Sequence, residues 1–110
     1  MNLLSLFNSK ARAERDRQEA NRIRRYEYGL REVARWTQAK AAYAKSGAEL
    51  TQQFEEQIAR HGEQWGYEGE GMKALRWTMA SFQDQTEQLI QEADYRLSVY
   101  RNIVLMKGRI

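Results

Sequence analysis

Nine basic residues crowd the first third of the chain: Lys10, Arg12, Arg15, Arg17, Arg22, Arg24, Arg25, Arg31 and Arg35. Eight of the nine are arginine, whose planar fork grips phosphate and carboxylate oxygens in pairs as an ammonium does not. Arg12, Arg15, Arg22, Arg24 and Arg25 are therefore the candidates for contact with a nucleic-acid backbone. Glu14, Asp16, Glu19, Glu27 and Glu32 are interleaved with them. Pairs such as Glu27 and Arg31 stand four apart, the spacing of ion pairs along a helix surface. The same run thus also reads as a solvated helical face.

Two further clusters suit contact rather than catalysis. Leu3, Leu4, Leu6 and Phe7 open an otherwise polar chain. An apolar terminus followed by arginines suits a peptide that docks in a partner's groove, or a weak interfacial contact with a membrane surface. The third reading is packing on its own chain. Trp65 and Tyr67 stand in a glycine-rich stretch among Glu63, Glu68 and Glu70. Aromatics at a loop tip are good interface anchors; alternatively, Trp65 covers the helix ends and pins the turn.

Catalytic and cofactor chemistry find little footing. There is no cysteine, so no disulfide framework, thiolate metal site or thiol nucleophile. The single histidine, His61, stands beside Gly62, where it reads as a cation at the end of a helix. No serine has a histidine with an acid behind it. No glycine loop has the lysine-serine ending or the preceding strand of a phosphate cradle. Neither an enzyme, nor a cofactor, nor a metal is expected.

These residues need elements to hold them. Zero proline in 110 residues argues for long uninterrupted helices. Four of the seven glycines are Gly62, Gly66, Gly69 and Gly71, so the main turn is placed at 62–71. Gly62, after Arg60 and His61, has the look of a helix stop. Upstream, Ile23, Tyr26, Leu30, Val33, Ala41, Tyr43, Ala44, Leu50, Phe54 and Ile58 recur at steps of three and four, which predicts a helix from about Ser9 to Arg60. Ser46 and Glu49 flank Gly47 in the pattern of a capping box, so this arm is either kinked near Gly47 or continuous through it.

Downstream, Met72, Leu75, Met79, Phe82, Leu89, Ile90, Ala93, Leu97, Tyr100 and Val104 form the clearest stripe. Its 11-residue step (Phe82, Ala93, Val104) fits a nearly straight helix pairing. Trp36 and Trp77, with Tyr26, Tyr43, Tyr95 and Tyr100, read as core or seam. The expected architecture is all-α: a long antiparallel helical hairpin of two or three helices over residues 9–110, preceded by an apolar docking segment at 1–8. Each arm would run roughly 35 residues, about 50 Å at 1.5 Å per residue. Two helices bury one seam only, so an oligomer or docking in a larger assembly is expected.

Charge is segregated along the chain. Residues 1–45 hold 11 basic and five acidic residues, 46–95 hold three and ten, and 96–110 hold four and none. A hairpin brings the two basic blocks to its open end and the acidic block to its tip. That polarity suits pairing with further copies, or presenting the basic end to an anionic partner.

The reading with most support is a non-enzymatic structural, assembly or adaptor protein that contacts itself or another protein of a larger complex. A phage virion or accessory component would fit this size, and the location would be cytoplasmic or packaged in a virion. The alternative is a nucleic-acid-associated protein that lays its arginine-rich helix on phosphates. A third reading is a small inhibitor of a host enzyme whose acidic tip imitates phosphate. The longest apolar cluster is far short of the roughly 20 residues a membrane-spanning helix needs.

Overall fold

The computed structural model describes residues 2–109 and consists of two helices. Helix α1 runs Leu3–Trp65 and helix α2 runs Glu70–Leu105. They pack as an antiparallel hairpin, and no strand occurs among the described residues. The chain divides into two compact units. One comprises Met1–Arg35 with Arg96–Ile110, the other Trp36–Tyr95.

The sequence stripes forecast the hairpin but misplace its boundaries. α1 is 63 residues long and starts earlier and ends later than the expected Ser9–Arg60 helix. Residues 3–8 do not form a separate segment. Asn2 caps α1, its Oδ1 accepting the Ser5 N–H at 2.8 Å, so the helix begins at Leu3 and includes the apolar cluster. At the other end, Gly62 does not stop the helix. α1 continues to Trp65, and Gly66, at φ 88°, closes it by donating its N–H to the Gly62 carbonyl at 2.8 Å. The turn therefore shrinks from 62–71 to 66–69, and His61 lies a full turn before the helix end.

In the unit of residues 36–95, α1 runs through Gly47 without a break, which settles the alternatives in favour of the continuous helix. The reason lies across the seam. A Cβ on Gly47 would stand 2.4 Å from Thr86 Cγ2, so glycine is there for closeness of the two helices. The Thr86 hydroxyl donates to the Phe82 carbonyl at 2.9 Å, which holds that methyl in place. Phe54 and Phe82 pack with ring centroids 5.6 Å apart, and Lys40 Nζ meets Asp94 Oδ1 at 2.6 Å. Gly62 is buried, with Tyr67 laid over it: an added Cβ would meet the Tyr67 ring at 2.1 Å.

Burial corrects the stripes in detail. Among the described residues, Met72, Ala93 and Leu97 are the buried hydrophobic ones. On α1 the less exposed positions include Tyr26, Gly29, Val33, Trp36, Tyr43, Gly47, Leu50, Phe54 and Ile58, so two glycines stand in the seam. Ala41 and Ala44 face solvent, and Ile23 and Leu30 are more exposed than expected. Trp77 is 72% exposed and Tyr95 is similarly open, which removes both from the seam where the sequence pattern set them. At about 100° per residue, each points about 160° away from the inward line of Met79, Ala93 and Leu97, on the face of α2 turned from the seam.

Candidate interface surfaces

In the other unit, the end of α2 is tied to α1 by arginines. Lys107 (φ 54°) and Gly108 (φ 76°) both adopt the left-handed conformation. The Gly108 N–H donates to the Ile103 carbonyl at 2.9 Å and the Lys107 N–H to the Val104 carbonyl at 3.0 Å, the paired bonds of a Schellman cap. Arg22 Nη1 donates to the Lys107 carbonyl at 2.7 Å, and Arg25 Nε to the Gly108 carbonyl at 2.8 Å. Cations are well placed there, because the last carbonyls of a helix carry partial negative charge. Arg22 also grips Glu19 through two bonds, Nε to Oε2 at 3.0 Å and Nη2 to Oε1 at 2.6 Å. That bond holds the Glu19 carboxyl below its ordinary range and raises the Arg22 guanidinium. Next door, the Tyr28 and Tyr100 rings meet edge to face at 5.7 Å, and the hydroxyl contact with Tyr100 raises the Tyr28 phenol.

This arrangement divides the five arginines proposed for phosphate contact. Arg22 and Arg25 are brought together on the α2 terminus. Arg12 and Arg15 point within about 60° of each other on α1, while Arg24 lies about half a turn away from Arg15. These three are exposed. Arg17, nearby, pairs with Glu14.

The apolar N-terminal cluster is ordered and uncovered. Every residue from Asn2 to Asn21 is exposed, with Leu3 at 77% and Phe7 at 72%. At about 100° per residue, Leu3, Leu4, Leu6 and Phe7 share one face, and Ser5, Ser9 and Arg12 take the opposite one. Phe7 precedes Arg22 by 15 residues, about 22 Å of continuous helix, so this face does not fold back on the α2 terminus.

At the turn, Trp65 is 69% exposed and does not pin the helix ends. That role falls to Tyr67, which rests on Gly62 yet keeps 53% of its surface open. Protein-family models, curated proteins and solved structures all give no match to this chain.

One surface escaped the sequence reading. An open groove of about 1040 Å³ is lined by Arg25, Val99, Arg101, Ile103 and Leu105, among others. Leu105 there is 79% exposed. The signal available in the sequence was that Val99, Leu105 and Met106 are apolar yet fall off the inward stripe of α2. Among the described residues, no three histidine, cysteine or carboxylate side chains gather to hold a metal, and no helix is long and apolar enough to cross a membrane.

Proposed function

We propose that this chain is a non-catalytic assembly or adaptor element that works by protein–protein contact. The observation that carries the reading is the N-terminal stretch of α1. It is capped, helical and apolar on one face, and no other described residue of its own chain covers it. An amphipathic helical face of this kind is what a partner's groove accepts. The balance of burial supports the same view: among the described residues, three hydrophobic residues are buried, against sixteen large ones exposed. Scattered exposed apolar residues are ordinary, but four on one helical face are a patch.

Light scattering coupled to size exclusion tests this on the full chain, on a deletion of residues 1–7 and on Leu3→Ser with Phe7→Ser. A multimer that loses mass in both variants is expected. A monomer in all three counts against the reading. Arg12, Arg15 and Arg24, exposed on α1, favour a second reading, contact with nucleic acid. Duplex binding that falls as a power of salt concentration, and is lost on replacing those three, would favour it instead.

A further inference from the structure

We infer that the partner at the α2 end is a second copy of this chain, its turn seated in the groove of Arg25, Val99, Arg101, Ile103 and Leu105. The inference rests on the assembly reading but uses different surfaces. The groove has an apolar floor and two arginines, and no carboxylate lines it. Arg25 is held in place by the Gly108 carbonyl through Nε, which leaves its terminal nitrogens to face an incoming acid. The turn supplies the complement. Trp65 stands open beside Tyr67, and Glu63 and Glu68 flank them with no cation partner among the described residues. A large aromatic ringed by acids fits an apolar groove ringed by arginines, the pattern of a buried anchor within a charged rim.

Charge argues for a copy of the same chain as the occupant. The unit that holds the groove has 13 basic and five acidic residues, net +8. The unit that holds the turn has five basic and ten acidic residues, net −5. Each molecule thus carries both halves of a complementary pair. Opposed potentials of this size speed encounter and fix which surfaces meet. Turn and groove are different surfaces, so the contact is head-to-tail. Such contacts add further copies unless a ring closes.

Sedimentation velocity over a concentration series is the test, run on the full chain, on Trp65→Ala, and on Arg101→Glu with Leu105→Ala. The wild type should associate, and more weakly at high salt, because screening shortens the reach of exposed charges. Trp65→Ala should weaken association by about 30-fold or more, the scale of an anchor residue. The groove variant should weaken it by about tenfold or more. Mixing the two variants decides the geometry. One retains a working groove and the other a working turn, so the mixture should form a one-to-one complex more strongly than either variant associates alone. Recovery in the mixture also shows that both variants are folded. Association that ignores both variants, yet disappears on deleting residues 1–7, overturns the turn-to-groove contact and leaves the assembly reading standing. A wild type that stays monomeric at every concentration overturns both.

Discussion

Replacing Gly108 with alanine and, separately, Lys107 with glycine should shift stability in opposite directions, although the residues are neighbours and both have positive φ. Gly108 sits against α1: a Cβ there would meet the Arg22 carbonyl oxygen at 2.3 Å and the Tyr26 nitrogen at 3.0 Å. Both are backbone atoms of a helix and do not yield. An L-residue in this conformation already costs about 1–2 kcal/mol, offset by about 0.4–1 kcal/mol from a less flexible unfolded chain. Relieving the overlap moves the loop outward and breaks the Arg25 bond to the Gly108 carbonyl. A charge-assisted bond of this kind contributes about 1.5 kcal/mol. Gly108→Ala should therefore lose about 2–3 kcal/mol in the unit that contains it. Lys107 carries the conformational cost as it stands, so Lys107→Gly should gain about 0.5–1 kcal/mol, the difference between relieved strain and added unfolded-state freedom.

Because the chain has two compact units, a single melting temperature need not report on this end. Amide hydrogen exchange along residues 100–108 reads it directly. Exchange should quicken in Gly108→Ala and slow in Lys107→Gly. Wild-type protection in Gly108→Ala, or faster exchange in Lys107→Gly, would refute the account of this terminus as a tight cap docked on α1.

Three further outcomes follow from other contacts. Gly47→Ala should destabilise the 36–95 unit by about 1 kcal/mol, even though alanine is the better helix former by about that amount, because overpacking the seam costs more. Adding Thr86→Ser, which removes the clashing methyl and keeps the bond to the Phe82 carbonyl, should recover most of the loss in urea denaturation. The Glu19 carboxyl should titrate below an ordinary glutamate by NMR, chiefly through its bond to Arg22, and return toward the ordinary value in Arg22→Gln. A carboxyl lowered in the folded state stabilises above its unfolded pKa, and that contribution is lost as pH falls through the folded one. Asn2→Ala should cost the first turn of α1 about 1 kcal/mol, seen as faster exchange at the Ser5 and Leu6 amides with the rest of the helix unchanged.

The hairpin was legible because hydrophobic spacing is a long-range average. Met72, Ala93 and Leu97 keep their step of three and four across 26 positions, whichever single residue is doubtful. Single glycines were not legible, because a glycine's meaning depends on what stands opposite it. At Gly47 the sequence left a kink and a continuous helix equally open, and the position is a close-approach point decided by Thr86 39 positions away. Gly62 looked like a cap and is a seat for Tyr67. Arg22 and Arg25 looked like members of one phosphate-binding run. Their bonds reach across 85 and 83 positions to backbone carbonyls, which carry no side-chain signature in a sequence. The groove was missed for a related reason, since its apolar residues interrupt the stripe and supply no pattern of their own.

How so thin a core supports such long helices bears on what the exposed faces are for. Isolated helices gain little from water, and most of their stability in proteins comes from packing an apolar face. Residues 3–21 have no such packing against α2. Their order comes from local sources: the Asn2 cap, alanines and arginines of high helix propensity, and ion pairs three apart such as Glu14 with Arg17. Local sources leave every face of the helix free, so the apolar side is already shaped when a partner arrives and less ordering cost falls on binding. The α2 terminus follows the opposite strategy. There, two arginines and a left-handed glycine fix a short loop against α1, and the helix just before it presents Val99 and Leu105 outward. A surface held rigid from behind and left apolar in front gains nothing for the isolated chain. Covering it is the part that the proposed second copy would play.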